Sequence, residues 1–193
     1  MFTGIIEAIG KVTRVQFPQI EIEAPSEWKQ INVGCSVAVD GVCLTVVKKK
    51  DTRLSFDVVE ETREKTTLGS LRTDARVNLE RSLSCDGRFE GYFVMGHVDG
   101  MGRIIRKVKQ KTEELLEVES AQELTRFMVA KGSITVDGIS LTLGPVQSKR
   151  FIVYLIPHTL QNTTLGSKRI GQRVNIETDV LAKYVVKYRF FGA

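Results

Sequence analysis

The hydrophobic residues of this chain occur mostly in short runs of strand length. In the first half such runs occupy residues 37–39, 42–47, 54–59 and 77–79, and they are rich in β-branched side chains. Runs of this kind are typical of short strands with one face on a core. Asp-Gly pairs separate two such runs at residues 40–41 and again at 137–138, and Asp-Gly is a strong signal for a two-residue hairpin turn. The pattern predicts about six strands in each half and a small closed or nearly closed barrel.

A few segments depart from the strand pattern and predict helices. The sequence Thr-Thr-Leu-Gly, at 66–69 and again at 163–166, predicts a helical turn ended by glycine at the C′ position. Residues 123–130 predict a short helix. A last helix is predicted over residues 180–189, capped by Asp179. Because no third domain remains to cover its apolar face, we expect it to serve in assembly; that face holds Val180, Leu181, Tyr184, Val185 and Tyr188.

The chain is an internal duplication. Three blocks recur in the same order, and the repeat of RVN-x-E and TTLGS is plain by eye. The blocks are residues 36–47 with 133–144, residues 62–80 with 159–177, and residues 2–12 with 94–104. The first two pairs share an offset of 97 residues and the third an offset of 92, a difference that a hairpin loop can absorb. Positions equal in both halves are expected to serve the shared fold, and unequal positions mark where the halves divide their labour.

The duplication defines the domains. The glycine-containing stretch at 84–92 is the expected connection. We therefore predict a first barrel at 1–88, a second at 89–178, and an oligomerisation helix with a tail at 179–193.

Composition excludes several classes of function. The net charge is +5, but the basic residues are scattered, with the densest runs at 48–50 and 103–111. Without interleaved aromatic residues these runs indicate solvated surface, so we expect no nucleic-acid partner. No apolar run approaches membrane-spanning length, and the N-terminus has no signal-peptide pattern. Three irregularly spaced cysteines indicate neither a disulfide framework nor a zinc site, and we expect a reducing, cytoplasmic setting.

Candidate chemistry lies where the repeats differ. Because side chains fill a barrel this small, a ligand must sit at a rim or between two barrels. Cys43 stands where the second repeat has Ser140, and His97 stands where the first has Ile5. Cys43 is either a small buried residue or a nucleophile or acid, and His97 is either structural or a group that moves protons.

Other polar positions leave similar alternatives open. Lys131, opposite Gly34, is either an ordinary surface lysine or a ligand contact. His158 lies opposite Glu61. The paired threonines either cap turns or hold a ligand's hydroxyl groups; they are Thr45 with Thr142 and Thr62 with Thr159. The two histidines and three cysteines have no metal-ligand spacing, and no phosphate-binding glycine loop or nucleophile elbow is present, so we expect neither metal nor cofactor.

Four motifs together resemble one enzyme family. They are MFTGII at 1–6, DGVCLTV at 40–46, GHVDG at 96–100 and VDGISLT at 136–142. In this order, and over essentially the whole chain, they resemble the riboflavin synthases of the α-chain type. The resemblance implies an all-β fold of two tandem six-stranded antiparallel Greek-key-like barrels plus a C-terminal α-helix. It implies a homotrimer joined through the helices, and it leaves docking with lumazine synthase open.

The resemblance also implies a reaction. Two molecules of 6,7-dimethyl-8-ribityllumazine dismutate by transfer of a four-carbon unit, giving riboflavin and 5-amino-6-(D-ribitylamino)uracil. Each active site would lie between the N-terminal barrel of one chain and the C-terminal barrel of its neighbour. On this basis we expect Cys43 and His97 to come from two different chains. Tyr92, where many members carry histidine, and Met95 depart from the family pattern.

The resemblance implies roles for individual residues of this chain. Positions associated with turnover are Phe2, Ser36, Cys43, His97, Asp137, Ser140 and Thr142. Segments matching the lumazine site of the first barrel are Gly4, Ile5, Ile6, Cys43, Leu44, Thr45, Asp57, Val58, Val59, Glu60, Glu61 and Thr62. Segments matching the site of the second are Gly96, His97, Val98, Lys131, Ser140, Leu141, Thr142, Ile156, Pro157, His158, Thr159, Leu160 and Gln161.

Two other classes are weighed against the synthase. A non-catalytic optical protein that binds lumazine or flavin as a chromophore would lack the Cys and His of these motifs, whereas Cys43 and His97 are present. A flavin-binding barrel of the reductase type would need a second, nucleotide-binding domain, for which 193 residues leave no room.

Overall fold

The structure, a computed structural model, describes residues 1–189. Its first barrel contains six strands: β1 (Ala8–Gln16), β2 (Gln19–Glu23), β3 (Ser36–Val39), β4 (Val42–Lys50), β5 (Arg53–Asp57) and β6 (Arg76–Arg81). The second barrel repeats them as β7 (Gly100–Lys109), β8 (Glu114–Glu119), β9 (Ser133–Val136), β10 (Ile139–Gln147), β11 (Arg150–Leu155) and β12 (Arg173–Thr178).

Both barrels close with the same Greek-key order. The first runs β1-β2-β5-β4-β3-β6, the second runs β7-β8-β11-β10-β9-β12, and every pairing is antiparallel. Closure leaves no free sheet edge. The all-β duplicated fold predicted from the sequence is therefore confirmed.

Alternation along the strands builds each core. On β4 the side chains of Val42, Leu44 and Val46 point into the barrel and are buried, while Cys43 and Thr45 between them face outward. The interior of each barrel is filled by aliphatic and phenylalanine side chains. Any ligand must therefore bind outside the barrel interiors.

The Asp-Gly hairpins have the predicted geometry. Asp40 and Gly41 adopt φ values of 45° and 79°, and Asp137 and Gly138 adopt 49° and 79°. Positive φ at both central positions defines a type I′ turn. The two turns contact each other tip to tip, since a Cβ atom on Gly41 would lie 2.6 Å from the backbone nitrogen of Gly138.

Short helices cover the barrel ends. They are α1 (Glu60–Lys65), α2 (Gln122–Thr125) and α3 (Pro157–Asn162), with 3₁₀ turns at Ser26–Gln30, Thr67–Ser70 and Thr164–Gly166.

Two helical predictions need correction. The helix predicted over 123–130 is only α2, because the chain must turn at Lys131, whose φ is 70°, to enter β9. Gly69 and its equivalent Gly166 are not left-handed C′ residues, since neither has a positive φ. Glycine is required at these positions because a side chain would collide with the backbone. A Cβ atom on Gly69 would lie 2.1 Å from the carbonyl oxygen of Arg63.

The C-terminal helix forms as predicted, over Val180–Arg189, and is named α4. Asp179 caps it, because its Oδ1 accepts a hydrogen bond of 2.9 Å from the Leu181 N–H. On the expected apolar face Val180 is half-buried, and the other four side chains are 57–70% exposed. Residues 190–193 of the predicted tail lie outside the described residues. Among residues 1–189, no helix combines the length and apolar character needed to cross a membrane.

Candidate active site

The barrels meet through a reciprocal set of buried hydrogen bonds. The Asn175 side chain accepts from the Thr67 N–H at 2.7 Å and donates to the Asp40 carbonyl at 2.8 Å. Its repeat partner Asn78 accepts from Thr164 and donates to the Asp137 carbonyl, at 2.8 and 2.9 Å. The asparagine of the RVN-x-E block therefore joins one barrel to the other. This agrees with the expectation that positions equal in both halves serve the fold.

The segments that precede the two barrels cross over. The carbonyl of Gly4 accepts from the Ser140 N–H, in the second barrel, at 2.8 Å. The carbonyl of Gly96 accepts from the Cys43 N–H, in the first barrel, at the same distance. The prediction that residues 4–6 belong to the site of the first barrel, and residues 96–98 to that of the second, is therefore wrong. Residues 4–6 lie against the second barrel and residues 96–98 against the first. The sequence could not reveal this, because the repeat gives equivalence and not contact.

The first rim brings Cys43 and His97 together. A pocket of about 220 Å³ is lined by Val42, Cys43, Glu61, Thr62, Lys65, Thr66, Gly96, His97 and Val98. Cys43 is half-buried, while the His97 side chain is exposed. The expectation that these two residues come from different chains is wrong, since one chain already places both at one pocket.

The equivalent second rim carries different chemistry. Ser140 is half-buried beside Gly4, and Ile5 occupies the place that His97 has at the first rim. His158 is exposed on α3, where the Asn162 side chain donates to its carbonyl at 2.9 Å. The two rims are therefore alike in backbone and unlike in their titratable side chains.

Lys131 stands at an uncommon backbone position next to the second rim. Its φ of 70° matches the 93° of its equivalent, Gly34, and its N–H donates to the Leu143 carbonyl at 2.8 Å. Residues with a side chain rarely adopt this left-handed region.

Besides Ser140 and Thr142, which lie on the second barrel, three of the predicted catalytic residues do not line the pocket. Phe2 is fully buried and forms an isolated antiparallel β-bridge with Val94. It belongs to a small hydrophobic cluster against which Cys43 packs. Asp137 is fully buried between the barrels. Ser36 is half-buried on β3, opposite Thr45 in the strand register. Phe2 and Asp137 can therefore act only through other residues.

The buried charges between the barrels break the symmetry. The Nζ atom of Lys168 lies 2.6 Å from Oδ2 of Asp137. The first repeat has leucine at the equivalent position 71. Burial, and then repulsion from Asp137, raise the pKa of Asp40 to about 7, with Lys168 opposing the shift. Burial lowers the pKa of Lys168, but the two aspartates outweigh it, so the lysine stays charged.

Reasoning from sequence missed Glu80 and Glu177, the glutamates of the RVN-x-E blocks. Glu177 accepts from the N–H groups of Met95 and Gly96, at 2.8 and 2.9 Å. Glu80 accepts from the N–H groups of Thr3 and Gly4, at 2.7 and 3.1 Å. Their identity in both halves was the available signal. Since Met95 contacts Glu177 through its backbone, its departure from the family pattern leaves this contact intact.

No group of three or more His, Cys, Asp and Glu side chains suited to a metal ion occurs in the part of the chain that the structure describes.

Comparison with known proteins agrees with this geometry. The lumazine binding domain family matches residues 3–82 and again residues 95–179. A riboflavin synthase of Mycobacterium tuberculosis is 46% identical over 193 residues, covering 96% of each protein. Those of Actinobacillus pleuropneumoniae and Bacillus subtilis are 40% and 39% identical, covering 97% and 98% of this chain and 89% of each relative.

Among solved structures, LumP complexed with riboflavin has a TM-score of 0.85 at 21% identity, covering 93% of this chain and 100% of LumP. At that identity the likeness concerns the fold alone. The identity to the synthases extends over the whole chain, and both halves match the lumazine-binding domain. This chain therefore belongs to the riboflavin synthase family.

Proposed function

We propose that this protein is a riboflavin synthase, which converts two molecules of 6,7-dimethyl-8-ribityllumazine into riboflavin and 5-amino-6-(D-ribitylamino)uracil. One observation carries the proposal beyond family membership. Two rims with the same backbone differ in chemistry, with Cys43 and His97 at one and Ser140 and Ile5 at the other. A reaction between two identical molecules must give them different roles, and unlike sites can impose that difference.

Each rim holds one substrate molecule. At the first rim the ligand contacts Cys43, Leu44, Thr45, Asp57, Val58, Val59, Glu60, Glu61, Thr62, Gly96, His97 and Val98. At the second it contacts Gly4, Ile5, Ile6, Lys131, Ser140, Leu141, Thr142, Ile156, Pro157, His158, Thr159, Leu160 and Gln161. The outward-facing, exposed positions of Thr45 and Thr142 support this assignment.

The active site is completed by a second chain. The pocket at Cys43 and His97, about 220 Å³, is smaller than the roughly 300–1,000 Å³ of sites that enclose a small-molecule ligand. A first rim facing the second rim of a neighbouring chain would enclose two substrates. A homotrimer joined through the exposed face of α4 provides such a neighbour.

The chemistry needs orientation and proton transfer. A proton leaves the 7-methyl group of one lumazine, and a nucleophile adds at C7 of the other and leaves again before the products form. The four-carbon unit then passes between the two rings, and the atoms of two substrates equal those of the two products. We assign proton transfer to His97, which is exposed at the pocket, and assistance of the addition to Cys43. Phe2 and Asp137 act as positioning residues from behind.

A lumazine-binding optical protein is the second candidate, favoured by the likeness of fold to LumP. It predicts binding without turnover.

We further propose a cytoplasmic location, supported by three cysteines that remain free thiols.

The first experiment is direct. Purified protein is incubated with 6,7-dimethyl-8-ribityllumazine, and riboflavin absorbance is followed. Riboflavin formation supports the synthase, whereas binding with no product supports the optical protein.

The second experiment tests the pairing of unlike rims across chains. Cys43→Ser and Ser140→Ala chains are mixed under conditions of demonstrated subunit exchange. Activity should return, because a site can combine an intact first rim with an intact second rim. Cys43→Ser mixed with His97→Gln should restore none, since both changes damage the same rim. Equal recovery in both mixtures, or none in either, would contradict this arrangement.

A further inference from the structure

The segment that carries His97 is fixed through both backbone polar groups of Gly96. The Gly96 N–H donates to Glu177 Oε2 at 2.9 Å, and the Gly96 carbonyl accepts from the Cys43 N–H at 2.8 Å. Glu177 lies on β12 of the second barrel and is 2% exposed. Its other oxygen accepts from the Met95 N–H at 2.8 Å. A single buried carboxylate therefore holds two consecutive backbone N–H groups directly before His97.

Steric contact leaves little freedom at this point. Gly96 adopts a φ of 75°, and a Cβ atom there would lie 2.7 Å from the Cβ of Cys43. Val98, on the other side of His97, packs against the core of the first barrel. The backbone position from which the His97 side chain projects is thus set by a glutamate that belongs to the other barrel.

The same device occurs at the other rim. Glu80, on β6 of the first barrel, accepts from the N–H groups of Thr3 and Gly4. The carbonyl of Gly4 in turn accepts from Ser140. Ile6 packs against the core of the second barrel. Repetition of the complete set of contacts shows that both rims hold their leading segment in the same way, and that the contacts are not an accident of one loop.

We propose that Glu177 is a positioning residue for turnover, which acts by holding the backbone of the His97 segment at the pocket that Cys43 lines, and that Glu80 is its counterpart for the segment at Ser140. This inference rests on the proposed function and deepens it. It makes each rim depend on a strand of the opposite barrel, with a separate glutamate for each rim.

The central variant is Glu177→Gln. It has nearly the same volume, but one of its two side-chain ends becomes a donor facing a backbone N–H, which releases one of the two contacts. We expect kcat to fall about 10- to 100-fold, as for a catalytic group displaced by about 1 Å. KM should change by less than about threefold, because the many other contacts to the substrate remain.

The matched control is Glu117→Gln. Glu117 lies in the same barrel, is 8% exposed, and pairs with Arg150 instead of the segment. It should keep the kcat of the unchanged protein. A further control, Glu80→Gln, acts on the other segment.

A spectroscopic readout separates positioning from stability. The chain has two histidines, so the imidazole NMR signals of His97 and His158 can be followed individually. Glu177→Gln should shift the His97 signals, while Glu117→Gln and Glu80→Gln should leave them in place. If Glu177→Gln retains both the kcat and the His97 signals of the Glu117→Gln control, the proposal is overturned.

The proposal stays testable if Glu177→Gln does not fold or if the unchanged protein makes no riboflavin. If Glu177→Gln does not fold, hydrogen exchange of the unchanged protein decides: the Met95 and Gly96 amides should be protected, and exchange at the rate of exposed amides would overturn the proposal. If the unchanged protein makes no riboflavin, the proposed function fails. The NMR and exchange readouts would still decide whether Glu177 fixes the segment.

Discussion

The buried aspartate at the tip of the first hairpin should make the folded state less stable as the pH rises. Burial and the neighbouring Asp137 raise the pKa of Asp40 from its ordinary 3.8 to about 7. Between these values the folded protein binds a proton that the unfolded chain does not, so stability is lost as the pH rises through this range. The difference corresponds to about 4 kcal/mol in total, of which about 3 kcal/mol is lost between about pH 5 and 8.

The variant Asp40→Asn should remove this loss. Its amide oxygen can keep the 2.7 Å hydrogen bond from the Asn78 N–H, and asparagine tolerates the φ of 45°. The variant should therefore match the parent near pH 5 more closely than at pH 8, where it should be more stable by up to about 4 kcal/mol. Other buried carboxylates, such as Glu80 and Glu177, contribute to both proteins and cancel in the comparison.

Urea unfolding at fixed protein concentration measures the effect. Trp28 is the one tryptophan of the chain and is buried in the first barrel, so its fluorescence reports unfolding there. The control is Asp51→Asn, an exposed turn aspartate with a similar φ of 54°. Parallel stability curves for the parent and Asp40→Asn between pH 5 and 8 would refute the reasoning.

Three further predictions follow from the same structure. Asn175→Ala removes two buried hydrogen bonds that cross between the barrels, to Thr67 and Asp40, and should lower the free energy of unfolding by about 2–4 kcal/mol; a loss below about 0.5 kcal/mol would be inconsistent with that role. Truncation after Asp179 removes α4, and sedimentation should show a smaller assembly together with reduced activity, whereas unchanged sedimentation and full activity would remove the role given to this helix. Calorimetric titration with lumazine should show two ligands per chain, one for each rim, and a clean value of one with no weaker second site would contradict the two-rim interpretation.

Much of the fold could be predicted from the sequence because the chain is an internal duplication. The repeated Asp-Gly pairs predicted two hairpins, and their type I′ turns are present at Asp40 and Asp137. The equivalence of Lys131 with Gly34 also holds, since both adopt left-handed backbone. The helix predicted over 123–130 failed because local propensity yields to the turn that β9 requires.

The candidate site was only partly readable, because contact across the barrel boundary leaves no periodic signal. Cys43 and His97 were singled out correctly as unlike positions, yet their meeting in one chain depends on the crossing of residues 96–98. The glutamates at 80 and 177 looked like ordinary strand residues. Only the structure shows that their carboxylates are buried and accept hydrogen bonds from backbone N–H groups of the segments that precede the barrels.

The crossing of residues 4–6 and 96–98 has a consequence for the origin of the fold. A chain with one barrel would carry its leading segment with no second barrel to receive it, and its own rim would stay open. Two such chains could close each other's rims by exchanging these segments, as in a domain-swapped dimer. Gene fusion of that dimer would give the present arrangement directly. The two halves were then free to change separately, and the cysteine and histidine of one rim could diverge from the serine and isoleucine of the other.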